Sequence, residues 1–340
     1  MKWIIILSLF ASAYCFSNLT FTQWRLRYRV TFPSTKERRQ REKIFIDTKN
    51  EIVAFNSNPN ITYEKDLNPY THLSCEEFIS TRCGTKLPER LRNNPQAIVE
   101  DVLDARIAYP FGNYTSADAP DYTDFTNLMQ PVQNQLSCGS CWAFSVMSQL
   151  EGLLKIKDSS FNTLLAPQFL LDCNTAQVGC IGGWPTDALS WLKTKLGGNN
   201  KAPSQLLYPY RAAVKTCRKT LSTINLDIQQ VRERYLGGNE GALKAQIANF
   251  GPTIVAIYAS NDFQYYSSGV FYDPTCPSGN TCLILNHAVT IVGYGTHPTY
   301  GDYWLVRNSW GSDWGEDGYI RMARNRNNNC NIACYAMFAQ

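Results

Sequence analysis

The run Gln135-Leu-Ser-Cys-Gly-Ser-Cys-Trp-Ala-Phe-Ser145 constrains this chain more than any other, because it sets a cysteine where a new helix begins. From Trp142 to Leu154 apolar residues recur at helical spacing without proline, which predicts a helix with Cys141 in its first turn. A thiol attacks only as thiolate, and the positive end of a helix lowers the pKa that decides how much thiolate exists. Cys138-Gly-Ser-Cys141 is also a CxxC pair, so a redox dithiol or half of a zinc site stands beside the nucleophile reading. The dithiol needs a small βαβ unit around it, and zinc needs two more ligands in a chain with only 3 histidines.

The cysteine count favours a nucleophile. Of 12 cysteines, Cys15, Cys75 and Cys83 lie early and nine lie from Cys138 onward, an odd number that allows four bridges and one free thiol. Bridges need an oxidising compartment, and the first residues supply the route to one. Met1-Lys2, an apolar run from Trp3 to Phe10 and the small residues Ala11-Ser-Ala13 form a secretory signal pattern, too short to span a bilayer. The secretory route, ending in a lysosome or outside the cell, is the expected location. With 32 Lys plus Arg against 28 Asp plus Glu, the net charge of +4 carries no nucleic-acid signature. The early basic cluster from Arg25 to Lys43 is interleaved with acids and aromatics and reads as a solvated helix face.

Three glycosylation sequons, at Asn18, Asn60 and Asn113, all precede residue 116. That asymmetry and an Ala/Asp/Tyr/Pro-rich stretch from Ala108 to Asp121 divide the chain into a signal peptide (1–15), a glycosylated leader (16–118) and a compact domain (119–340). A cysteine nucleophile needs a base and a group that orients it. In the late region His297 sits in a sequence that reads as a turn. His287 begins a β-branched run that predicts a strand, where it is either that base or a structural histidine.

Gln135 to Ser145, Asn286-His-Ala288 with Gly293-Tyr-Gly295, and Tyr303 to Gly311 with Trp314-Gly315 together resemble the three catalytic segments of papain-like cysteine peptidases. His287 follows Cys141 by 146 residues, within the family spacing, and Asn308 by 167, which implies inserted loops. The leader resembles cathepsin L-like propeptides through Glu37, Arg41, Ile44, Phe45, Ile52 and Asn56, with Thr48 where asparagine is usual. A second propeptide motif survives weakly as Asp66-Leu-Asn68-Pro-Tyr70-Thr-His72, with His72 in place of an aspartate. Protonation of His72 between about pH 5 and 7 is therefore an expected release trigger.

The resemblance implies an α+β, two-lobe fold with a helical lobe, a β-barrel-like lobe and the active-site cleft between them, preceded by a helical inhibitory propeptide. It implies a cysteine endopeptidase, made as a zymogen, that works through a thioester without cofactor or metal. Cys141 is then the nucleophile, His287 the base, Asn308 its orienting partner under Trp310, and Gln135 with the Cys141 N–H the oxyanion hole. Leu136 replaces a usual glycine, and a Cβ there is strained if φ is positive. Gly182 and Gly183 contact the substrate backbone. Trp184, Pro185, Ala256, Ala288 and Tyr335 line the pocket for the second residue before the cut, Asn286 is a further substrate-binding residue, and Trp314 lies on the leaving side. Tyr335 fills the pocket floor, which favours Val, Leu or Pro and disfavours Phe and Arg.

The resemblance also pairs Cys138–Cys180, Cys173–Cys217 and Cys276–Cys330, and Cys282 with Cys334 then remain to pair. Cys75 and Cys83 either bridge or stay free. Only six residues separate Cys173 from Cys180, which leaves no room for the histidine-bearing loop of dipeptide-removing relatives. The implied partners are polypeptide substrates, the propeptide itself and cystatin-like inhibitors, acting on a monomer. Two alternatives remain: a catalytically silent binding homologue, and a thiol-disulfide oxidoreductase using Cys138 and Cys141.

Overall fold

The computed structural model describes residues 18–93, 111–194, 197–218 and 221–340. The expected signal peptide, with Cys15, lies outside them. The leader is built from α1 (Phe21–Arg27), α2 (Thr35–Asn56), β1 (Tyr63–Lys65), α3 (Cys75–Arg82) and α4 (Glu89–Asn93). Thr20 with Gln23 and Ser74 with Glu77 form reciprocal capping boxes that start α1 and α3, and Ser34 caps α2. Phe45 and Ile52 fall on one face of α2 and pack with Phe21, Trp24 and Leu67 around Tyr265, a residue of the late region. The leader core is thus completed by the domain it covers.

In that domain follow β2 (Thr123–Asp124), α5 (Cys141–Lys157), α6 (Pro167–Cys173), α7 (Pro185–Lys193), β3 (Lys201–Ala202) and β4 (Ile224–Asn225). Every residue of α5 from Cys141 to Leu154 is buried, as a helix at the centre of a lobe must be. Both α6 and α7 begin with a proline at a position whose N–H has no intrahelical acceptor to lose. The second lobe holds β5 (Val231–Tyr235), α8 (Glu240–Phe250), β6 (Thr253–Ile257), β7 (Tyr266–Phe271), β8 (His287–His297), β9 (Gly301–Arg307), β10 (Tyr319–Ala323) and β11 (Tyr335–Ala339). Its sheet runs β1-β7-β10-β9-β8-β6-β11-β5, with β2 also on β8, so the leader contributes an antiparallel edge strand. The fold is α+β with two lobes, each with its own apolar core.

Strand β8 runs further than the sequence suggests. His297 does not lie in a turn but pairs with Gly301 at the end of the β8–β9 hairpin, whose turn is residues 298–300. Four disulfides join Cys138–Cys180, Cys173–Cys217, Cys276–Cys330 and Cys282–Cys334. Among the described cysteines Cys75, Cys83 and Cys141 are free. Asn18, Asn60 and Asn113 are all exposed.

Candidate active site

Cys141 is the first residue of α5 and is fully buried beneath the leader. His287, the first residue of β8, is fixed in the ladder opposite Ile257, where two strands restrict its backbone. Its Nε2 lies 2.8 Å from Asn308 Oδ1, and its ring stacks on Trp310 at 4.7 Å and 29° between planes. Trp310 is fully buried, so it keeps water off that bond. The His287 Nδ1 bonds no nitrogen or oxygen, which leaves it for the sulfur. Burial pushes the Cys141 thiol up, but the His287 imidazole, the Thr85 hydroxyl and the Ala288 N–H outweigh it and bring the thiol down to about 7. Cys138 is committed to Cys180, so Cys141 has no dithiol partner at CxxC spacing.

The Gln135 carboxamide is fully buried and locked by its neighbours. Its Oε1 accepts from Ser309 Oγ at 2.6 Å, and Nε2 donates to the Cys138 carbonyl at 2.7 Å and to the Arg82 carbonyl of the leader at 2.8 Å. The backbone carbonyl of Gln135 accepts from Tyr210 Oη at 2.7 Å, which bonds Ser140 as well. Leu136 adopts φ +54°, the left-handed conformation in which a Cβ costs about 1–2 kcal/mol, with its side chain half exposed.

The leader crosses the cleft directly over the sulfur. The Gly84 N–H points at Cys141 Sγ at 3.3 Å and the Thr85 hydroxyl lies 3.4 Å from it. Gly183 N–H donates to the Gly84 carbonyl at 2.8 Å, the Lys86 N–H donates to the Gly183 carbonyl at 3.2 Å, and the Thr85 N–H donates to the Asn286 carbonyl at 2.9 Å. Thr85 thus bridges Gly183 as a parallel strand. Hydrogen-bond donors, not a carbonyl carbon, face the nucleophile, and so the leader blocks the site without presenting a bond to attack. A Cβ on Gly182 would fall 2.2 Å from the Gly84 carbonyl oxygen, so only glycine lets the leader strand come this close.

The other residues singled out in the sequence surround this strand. Ala256 pairs with Ala288 across β6 and β8, both buried. The Asn286 side chain is spent on the Ala259 backbone, and only its carbonyl faces the leader. Trp184 and Pro185 open α7. The fully buried Tyr335 ring meets Trp184 edge-on at 5.4 Å, and the leader's Leu87 and Leu91 join the same apolar cluster. Trp314 stacks on Phe263 at 5.4 Å. Arg82, Gly84 and Thr85 carried no motif that marked them as site residues, and Ser309 was hidden between Asn308 and Trp310.

His72 does not titrate where the sequence suggests. Its ring packs between Trp24 and Phe32, at 5.1 and 5.6 Å. Burial, then the charges of Arg41 and Arg82, push it down to about 4, against smaller opposing contributions from the Pro69 backbone and Glu77. The sign follows from linkage: an unfolded His72 binds its proton near 6.5 and the docked one near 4. The leader fold therefore loses stability as pH falls from about 6.5 to 4, by at most about 3 kcal/mol. Asp66, pushed up to about 6 mainly by burial, acts in the opposite direction. Replacing His72 with Gln should flatten the acid limb of zymogen stability, as checked by denaturant unfolding at pH 4.5 and 7. An unchanged difference between the two pH values removes His72 from the acid response.

A helical leader that plugs a cleft holding a thiol, an imidazole and a carboxamide defines a thiol peptidase in its inactive form. Residues 117–340 match the papain family cysteine protease model and residues 21–78 match the cathepsin propeptide inhibitor domain (I29). The chain is 34% identical to a cathepsin L-like peptidase of Aedes aegypti over 99% of both, and 34% identical to cathepsin K of Mus musculus over 93% of this chain and 92% of that protein. It superposes on the digestive procathepsin L 3 of Tenebrio molitor larval midgut with TM-score 0.76 and 32% identity, covering 94% of this chain and 97% of that one. This chain belongs to the papain family of cysteine proteases, and it is a cathepsin L-like endopeptidase carried with its inhibitory propeptide.

Proposed function

We propose that peptide hydrolysis is carried by Cys141, His287, Asn308 and Gln135, and that the domain from about residue 119 onward is the mature enzyme. The observation that carries this is the convergence on one sulfur of a helix N-terminus, an imidazole held by Asn308, and the backbone of the leader. Once the leader leaves, Cys141 as thiolate attacks the scissile carbonyl, and imidazolium His287 protonates the leaving amine through Nδ1. His287 then takes a proton from the water that hydrolyses the thioester. The Gln135 N–H that now serves the Arg82 carbonyl is freed for the tetrahedral oxyanion, beside the Cys141 N–H. Each such donor is worth about 3–4 kcal/mol.

Gly183 offers its N–H and C=O to a substrate strand, and Trp184, Pro185, Ala256, Ala288 and Tyr335 form an apolar pocket beside it. Maturation near residue 118 is supported by four successive exposed residues, 115–118, just before the buried Ala119. The mature enzyme acts as a monomer in the lysosome or outside the cell and is open to cystatin-like inhibitors. An active-site-directed epoxide, applied before and after leader removal and followed by peptide mapping, tests the assignment. Label should appear on Cys141, in proportion to activity, only after removal. Label on another residue at full inactivation overturns it.

A further inference from the structure

The groove beside the apolar pocket contains a carboxylate that hydrolysis does not use. The Glu233 side chain on β5 is only 7% exposed beneath the leader. Its Oε1 accepts from the Trp184 indole N–H and, at 3.1 Å, from Thr186 Oγ1. The remaining partner belongs to the leader: Arg90 of α4 places Nη1 2.7 Å from Glu233 Oε2 and Nη2 2.8 Å from Asp187 Oδ1. A single planar guanidinium thus spans two carboxylates on different elements, one of them buried. Close by, the Tyr335 hydroxyl is buried without any hydrogen-bond partner. When the leader dissociates, Arg90 goes with it, while Trp184 and Thr186 stay and keep Glu233 oriented. An oriented carboxylate with only neutral donors left is a cation site that needs little reorganisation to be filled.

We propose that Glu233 and Asp187 form a subsite of the mature enzyme for an arginine side chain on the amino-terminal side of the scissile bond, occupied by Arg90 in the zymogen. The inference rests on the Gly183 edge being the substrate cleft. Leader residues 84–86 hydrogen-bond along that edge, Leu87 enters the apolar cluster that contains Trp184 and Tyr335, and Arg90 follows one turn later over Glu233. The pocket of Trp184 and Tyr335 is assigned above to the second residue before the cut, so a substrate chain on the same edge, running opposite to the parallel leader strand, presents its second or third residue before the cut to the same carboxylates. The two acceptors suit the fork of a guanidinium better than the point charge of an ammonium, so arginine should be preferred to lysine. The proposal runs counter to the sequence-based expectation that this pocket disfavours Arg, and Glu233, in the unremarkable run Val-Arg-Glu-Arg-Tyr235, carries no motif that marks it as a pocket residue.

The test uses the full chain after activation, with active enzyme counted by epoxide titration. Matched peptides carry arginine, its neutral isostere citrulline, or lysine at the second or third position before the cut. The kcat/KM ratio of arginine to citrulline should be about tenfold to a hundredfold at one of these positions, the range for a hydrogen-bonded charge pair, with lysine between them. In Glu233→Gln, which retains an acceptor for Trp184 and Thr186, the ratio should fall toward one. Should that variant fail to fold, Asp187→Asn, at the more exposed end of the site, should lower the ratio in part. A ratio near one in the wild type at both positions, or a ratio untouched by either substitution, overturns the subsite. If no peptide is cleaved and no epoxide is incorporated, the assignment of hydrolysis to this cleft fails instead.

Discussion

Replacing Cys141 with serine should lower the turnover of any peptide substrate by more than about a thousandfold while the chain still folds. The expectation follows from two opposing effects on one group. Burial favours a neutral thiol, and the His287 imidazole, aided by the Thr85 hydroxyl and the Ala288 N–H, outweighs it to bring the thiol to about 7. A hydroxyl in the same place starts far above any working pH, so the same neighbours leave it protonated. The oxygen is slightly smaller than sulfur, so the packing at the start of α5 is nearly unchanged. Steady-state hydrolysis by the activated variant, with folding checked by circular dichroism and by all four disulfides, decides the matter. Residual activity of several per cent would exclude Cys141 as nucleophile.

A second large effect should come from one methyl group in the leader. A Cβ built on Gly84 lies 1.8 Å from the Gly139 carbonyl oxygen and 2.4 Å from its carbonyl carbon. Neither backbone can yield easily. Gly139 donates to the Cys180 carbonyl at 2.9 Å beside the Cys138–Cys180 bridge, and Gly84 is held by Gly183 and by the sulfur. In Gly84→Ala the leader strand must therefore lift away, giving up its bonds to Gly183 and Cys141, together worth about 3 kcal/mol or more. The open fraction of the uncleaved zymogen should then rise by about a hundredfold or more. Because an epoxide reaches only the open form, its rate of reaction with the intact chain reports that fraction directly. An unchanged rate, with unfolding behaviour preserved, would show that the leader does not restrain the enzyme at Gly84.

The predictable features of this chain were those whose chemistry demands a particular residue in a particular local setting. A helix N-terminus at Cys141 and a strand beneath His287 depend only on neighbours in sequence, and the odd cysteine count only on composition; the fold reproduces each. The strain at Leu136 was raised by the resemblance, which puts glycine there, and the structure's φ of +54° shows it. His297 was misread because the end of a strand is decided by its partner, and the pairing with Gly301 carries β8 past the residues that look like a turn.

Sequence alone therefore marked a cysteine nucleophile at a helix start, and the class of reaction, the two-lobe fold and the inhibitory leader followed from the resemblance of its motifs to papain-like peptidases and their propeptides. Tertiary structure alone decided how the leader blocks the site and which distant groups it meets in the cleft. Gly84 reaches Cys141 across 57 residues of sequence, and Arg90 meets Glu233 across 143. His72 is pushed down to about 4 because Trp24 and Phe32 bury it and the charges of Arg41 and Arg82 lie near it, all brought there from other parts of the chain. Desolvation and charge pairing act through space, and no spacing along the chain encodes which distant groups folding will bring together.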